Sequence, residues 1–201
     1  MTTGEGGMIA ATNEDLARRM RFMAYNGINR DCLTDAGVKR WWKYEVVSPG
    51  YKANMTDIQA AIGIQQLKKA QRFRDERQRC ADLYRALFDA VPSVRAPVVL
   101  PGLTHAWHMH VIQLELDRLR IGRDEFSLRL EEMGAGHNVH YLPLHMHAYY
   151  RDAFGYRAED FPAAMAAYER ILSLPIYPGL AAADIEYVVE CIAAVAEQYK
   201  R

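Results

Sequence analysis

Apolar residues near the start of the chain recur at helical spacing. Leu16, Met20 and Met23 share one face of a helix that Thr12 would cap, with Asp15 in its first turn and Gly27 closing its end. Residues 28–50 carry no period and close on Ser48-Pro49-Gly50. Thr56, with Gln59 three positions on, is a capping box. Ile58, Ile62, Leu67, Phe73, Cys80, Tyr84, Leu87 and Val91 then predict a helix running almost to Pro92. Unbroken, its roughly 35 residues would span about 50 Å, longer than a small domain is wide. The charged stretch Arg72, Arg74, Asp75, Glu76, Arg77 and Arg79 falls midway, so a solvated spine joining two lobes is expected.

Pro92, Pro97 and Pro101 punctuate the chain, and the pattern beyond them is α+β. Trp107–Leu116 reads as a strand, Asp124–Met133 as a helix and His137–Leu144 as a second strand. Helical stretches follow near Ala148–Phe154 and Ala163–Leu172, and Leu174-Pro175-Ile176-Tyr177-Pro178 forms a rigid turn. The last helix places Ile185, Val188, Val189, Ile192, Val195, Ala196 and Tyr199 on one face. The expected division is 1–91 and 92–201. At the other end, the glycine-rich Thr2–Gly7 feeds a short apolar run, Met8-Ile9-Ala10-Ala11, that reads as a buried strand. Such a turn belongs inside a domain, so further chain upstream of Met1 is expected.

Composition narrows the function. The 201 residues are 50% hydrophobic and 25% charged, the mix of a globular chain rather than a disordered one. Lys+Arg and Asp+Glu number 25 each, so no global positive field holds a nucleic-acid backbone or an anionic membrane. Cys32, Cys80 and Cys191 are scattered, with no C-x-x-C, and read as structural thiols in a reducing cytoplasm. No uncharged stretch approaches the ~20 residues of a membrane span, and no signal-peptide plan opens the chain. A soluble cytoplasmic protein is expected, with neither nucleic acid nor membrane as partner.

All seven histidines (His105, His108, His110, His137, His140, His145, His147) fall in one stretch. On a strand His108 and His110 would point the same way, as metal ligands do, yet no acidic residue stands among them and H-E-x-x-H is absent. The plainer alternative is that they face a cleft or partner, and no metal ligand is assigned. Lys52 and Asn54, beside Tyr51 and just before the capped helix, suit an anion at a helix N-terminus; the alternative is a solvated turn. Thr2–Gly7 matches no phosphate-loop motif. Trp41, Trp42 and Tyr44 suit a subunit interface, and Met8, Met20 and Met23 a core.

Several segments together resemble one family. Thr2-Thr3-Gly4-Glu5-Gly6-Gly7-Met8-Ile9 is similar to the segment after the catalytic lysine in the DegT/DnrJ/EryC1/StrS aminotransferases, which use pyridoxal phosphate to aminate keto-sugars. Tyr44 to Ala61, His105–His108, His140-Tyr141-Leu142-Pro143-Leu144-His145 and Leu172–Pro178 resemble its further motifs, in the family's order. The resemblance implies an α/β fold-type I transferase, represented by the tail of the large domain, a connecting helix and the α+β small domain. It implies a homodimer whose sites straddle the interface, with Asn54 and Lys52 as cofactor-phosphate contacts in trans and Tyr51 near the substrate. Lys52 stands where the family's commoner G-x-N-x-R form has Asn, and Asn54 where it has Arg. His140 and Tyr141 are implied on the small-domain wall of the cleft, where a nucleotide-linked keto-sugar and an amino donor would bind.

Transamination needs a Schiff-base lysine and a carboxylate under the pyridine nitrogen. The resemblance sets both upstream of Met1; none of Lys39, Lys43, Lys52, Lys68, Lys69 and Lys200 matches the lysine. No catalytic residue is therefore assigned, and the chain is expected neither to transaminate nor to hold the cofactor alone. The competing expectation is a binding or assembly module that complements a missing N-terminal half or another aminotransferase subunit. Apolar faces around Met8-Ile9-Ala10 and Ile58–Ile62 should lack partners.

Overall fold

The computed structural model describes residues 1–29 and 44–201. It contains two compact units, Met1–Ala70 and Gln71–Arg201. Cys32, Trp41, Trp42, Lys39 and Lys43 lie outside the described residues.

The first unit holds α1 (Glu14–Ala24), β1 (Ile28–Asn29), β2 (Glu45–Val46) and α2 (Asp57–Leu67), with β1 and β2 antiparallel. Asn13, not Thr12, caps α1, its side chain accepting from the Leu16 amide at 2.9 Å. The α2 capping box forms as the sequence predicts: Thr56 Oγ1 accepts from Gln59 N, and Gln59 Oε1 accepts from Thr56 N. Burial departs from expectation. Neither of these helices has a buried residue, and among the described residues no hydrophobic side chain of this unit is buried. Met8 is 89% exposed, Ile9 73% and Met23 39%, so the methionine set is not a core here and 8–10 is not a strand. Ile58 and Ile62 lie open as predicted, joined by Ile64 and Leu67.

The predicted spine is broken. α2 ends at Leu67 and α3 spans Ala70–Phe88, beginning at the last residue of the first unit. Neither proline nor glycine causes the break: Lys69 N bonds Gln66 O, tightening the turn, where the open apolar stripe of α2 gives way to the buried stripe Cys80, Tyr84, Phe88 at four-residue spacing. All of α3 after Ala70 thus lies in the second compact unit.

In the second unit β3 (Val94–Arg95), β4 (His110–Leu114) and β5 (Ile171–Leu174) form an antiparallel sheet in that order, with His110 opposite Leu174 and Ile112 opposite Leu172. β4 alternates as a half-buried strand must, with His110, Ile112 and Leu114 inward. α4 (Arg123–Glu132), α5 (Ala148–Phe154), α6 (Pro162–Tyr168) and α7 (Ala182–Gln198) complete the unit. The α7 face foreseen from its periodicity is buried, and with Tyr84 and Phe88 of α3, Phe126 and Leu130 of α4 and the sheet it makes one core. The strand expected at 137–144 is not one. Only Asn138 bridges to Ser173, by two backbone bonds of 3.0 and 2.7 Å, and Leu144–Met146 winds as a 3-10 turn after Pro143. The helix expected over 163–172 stops at Tyr168 because the following residues are taken by β5.

His110 is the core's polar exception. Its ring stacks on Tyr84 at 4.6 Å and lies beside Trp107 at 5.6 Å, and neither nitrogen has a partner among the described residues. Burial, with a smaller contribution from His105, pushes its pKa down to about 4. The folded state therefore resists a proton that the unfolded chain accepts near pH 6.5. Stability from this residue is complete above pH 6.5 and falls by about 3 kcal/mol as pH drops towards 4. Urea unfolding of the wild type and His110→Leu between pH 7 and 4 should show this excess slope only in the wild type; parallel slopes would contradict it.

Candidate functional site

The segment before α2 is positioned by the carbonyls that end α1. Tyr51 N donates to Met23 O at 2.6 Å and Ala53 N to Ala24 O at 2.9 Å, while Tyr51 O accepts from Asn26 N at 2.9 Å. Helix ends leave such carbonyls without intrahelical partners. Two glycines permit the close approach. Gly27 has φ +71°, and a Cβ there would overlap the Ser48 carbonyl; a Cβ on Gly50 would overlap the Gly27 amide. Tyr51, Lys52 and Asn54 are all exposed. Lys52 Nζ sits 4.4 Å from the centroid of the Tyr25 ring, with no carboxylate paired to it among the described residues. Tyr51 joins Arg19, Phe22, Met23, Val47, Ser48, Pro49 and Gly50 around a cavity of about 550 Å³. Tyr51 and Lys52 are thus neighbours on one stitched loop, with Asn54 at its far end.

A second cavity, about 510 Å³, lies wholly in the second unit. His140 and Tyr141 line it as a perpendicular ring pair 4.7 Å apart, and Tyr141 is 72% exposed. His108, His137, Asn138 and Ser173 also face it, with no carboxylate, lysine or arginine in the lining among the described residues. Ser173 is buried on β5, and its Oγ lies 2.8 Å from His140 Nδ1. His137 is held twice, its Nε2 2.5 Å from Ser127 Oγ and its Nδ1 2.9 Å from Ala135 O. Sequence reading missed these serines; the signal was a lone hydroxyl between Leu172 and Leu174 in an otherwise apolar strand. An array of neutral donors and acceptors suits the oxygens of a polar ligand.

The histidine run does not assemble a metal centre: among the described residues no three candidate ligands converge. His108 faces the cavity while His110 points into the core, His105 Nδ1 accepts from Trp107 N, and His145 is buried against Phe161. Cys80 and Cys191 are buried free thiols, and burial raises the pKa of Cys80, which makes it a poor nucleophile.

This chain belongs to the DegT/DnrJ/EryC1/StrS aminotransferase family, whose profile matches residues 1–193. It is 40% identical over 198 residues to the uncharacterized protein MJ1066 of Methanocaldococcus jannaschii, covering 98% of this chain and 51% of that one. It is 38% identical over 193 residues to the spore coat polysaccharide biosynthesis protein SpsC of Bacillus subtilis, covering 96% and 50%. The fold superposes on the putative sugar aminotransferase Spr1654 of Streptococcus pneumoniae in its PMP form with TM-score 0.82 and 26% identity, over 94% of this chain and 46% of that one. The fold is thus that of the fold-type I aminotransferases, and the chain spans about half the length of the curated relatives it matches.

Pyridoxal phosphate, the cofactor this family implies, needs an amine to carry it and a cradle for its phosphate. The residues present fit only an outer phosphate contact. Among the described residues Lys52 and Asn54 offer unpaired polar groups, but Lys68 and Lys69 are exposed beside the α2–α3 turn, Lys200 pairs with Glu197 at 3.4 Å, and neither cavity has a described lysine in its lining.

The Gly27 contact is the point at which the loop is most exposed to a single change. Gly27→Ala combines a left-handed backbone, costing about 1–3 kcal/mol for alanine, with the Ser48 overlap. Trypsin should cut after Lys52 about tenfold faster or more in this variant, with cleavage in the second unit unchanged; an unchanged rate after Lys52 would show that the stitch does not position the loop.

Proposed function

We propose that this chain is the C-terminal portion of a pyridoxal-phosphate-dependent sugar aminotransferase: the tail of the large domain, residues 1–91, and the small domain, 92–201. In the assembled enzyme, a homodimer, Lys52 and Asn54 reach the cofactor phosphate of the neighbouring subunit and Tyr51 its substrate. His140 and Tyr141 form the small-domain wall that meets a nucleotide-linked keto-sugar. The cofactor supplies the electron sink, and the lysine that carries it and shuttles the proton lies outside this sequence. The chain alone therefore binds and orients but does not transaminate.

The observation that supports this reading is that, among the described residues, the first unit has no buried hydrophobic side chain. A segment with open apolar faces on α2 and at Met8-Ile9 is what remains of a larger layer when most of that layer is elsewhere. The same observation favours a second reading, a non-catalytic assembly module that completes a separately encoded half or another aminotransferase subunit.

One preparation tests both. The purified chain incubated with pyridoxal phosphate and then borohydride should show no lysine modified stoichiometrically by mass spectrometry, and should not aminate a nucleotide-linked keto-hexose. Stoichiometric labelling of one lysine, or activity unaided, overturns the proposal. Activity that appears only on mixing with a separately expressed partner selects the assembly module. The open faces also predict self-association, so sedimentation should find oligomers growing with concentration; a well-behaved monomer at about 100 μM would count against the two-lobe account.

A further inference from the structure

Two serine–imidazole pairs flank the second cavity, and their hydrogen bonding can be accounted for proton by proton. A backbone carbonyl only accepts, so the His137 bond to Ala135 O places the ring proton on Nδ1. In the neutral ring Nε2 is then an acceptor, filled by the Ser127 hydroxyl at 2.5 Å. Both nitrogens of His137 are spent, and only the ring's carbon surface is left for the cavity.

His140 is set the opposite way. Ser173 is only 6% exposed, and its hydroxyl has no hydrogen-bond acceptor in reach among the described residues other than His140 Nδ1. A buried hydroxyl proton left without an acceptor is costly, so it is donated to Nδ1. The neutral ring then carries its proton on Nε2, which has no partner among the described residues. Ser173 cannot drift from this duty: its amide and carbonyl bond Asn138 on one side, and it lies opposite Val111 of β4 on the other.

We infer that Ser173 is a positioning residue that fixes His140 as an Nε2–H donor aimed at an acceptor oxygen of the ligand, while Ser127 and Ala135 hold His137 in the opposite tautomer and out of contact. The cavity thus offers one oriented imidazole donor beside the Tyr141 ring. Among the described residues no carboxylate in the lining competes for that donor. Phosphoryl oxygen and sugar oxygen both satisfy it. The identity of the ligand rests on the substrate-wall reading proposed above; the tautomers do not.

Long-range proton–nitrogen correlation spectra of the 15N-labelled chain at pH 8.5, about two units above an ordinary histidine, read the tautomers directly. His140→Gln and His137→Gln assign the signals. The expected pattern is Nε2–H for His140 and Nδ1–H for His137, with Ser173→Ala giving His140 averaged nitrogen shifts and Ser173→Thr restoring the single form. A proton on Nδ1 of His140 in the wild type, or a His140 spectrum unchanged by Ser173→Ala, overturns the inference. UDP-glucose should perturb His140 Nε2, with affinity about tenfold weaker in Ser173→Ala. UDP producing the same shift identifies a phosphoryl acceptor, and a response to UDP-glucose alone identifies the hexose. If neither perturbs a wild type with the expected tautomers, the positioning role stands and the substrate-wall reading falls.

Discussion

The structure depends on where apolar surface is removed from water. Each fully buried aliphatic or aromatic side chain contributes roughly 1.5–3 kcal/mol against the entropy of ordering the chain. Among the described residues every buried hydrophobic side chain lies from Cys80 onward, where α3, α4, α7 and a three-stranded sheet close around Tyr84, Phe126, Ile112 and Ile192. The described residues of the first unit form no such interior. Their helices, α1 and α2, are 11 residues each, a length that is marginal in water without packing. Capping at Asn13 and Thr56, and the backbone stitch from Met23 and Ala24 to the 51–53 segment, give it local order but no core.

That asymmetry links fold to function. The second unit is self-contained and gathers His140, Tyr141 and Ser173 around one cavity. The first unit instead leaves its candidate groups open: Lys52 resting on Tyr25, Asn54 and Tyr51 exposed, and an apolar stripe on α2 facing solvent. Membership of an aminotransferase family, at about half the length of the curated relatives, accords with this division of labour.

Much of this was legible in the residues, and the failures share a cause. The α2 capping box and the α7 face are local signals, decided within a few positions, and they hold in the structure, while α1 is capped at Tyr25 with Gly27 two residues beyond. The unbroken spine, the methionine core and the strand at 137–144 each depended on what packs nearby, which period alone does not specify. A helical stripe reads the same whether it is covered, as Cys80-Tyr84-Phe88 is, or open, as Ile58-Ile62 is. The candidate site followed the same rule. His140 and Tyr141 came from motif resemblance and line one cavity, whereas the serines that orient the imidazoles were invisible because the partners meet only through the bridge between Asn138 and β5. His110 was expected to point with His108 into a cleft or towards a partner and is instead a neutral ring in the core, without a hydrogen-bond partner among the described residues.

Amide hydrogen exchange across the whole chain, at a concentration where sedimentation finds the monomer, measures the asymmetry of burial most directly. Backbone amides of β4, β5 and α7 should exchange slowly and together, with the free energy of global unfolding, while those of α1 and α2 exchange orders of magnitude faster. Protection of α1 and α2 equal to that of α7 would mean that the first unit is stable by itself, and the account of this chain as one part of a two-lobed enzyme would be contradicted.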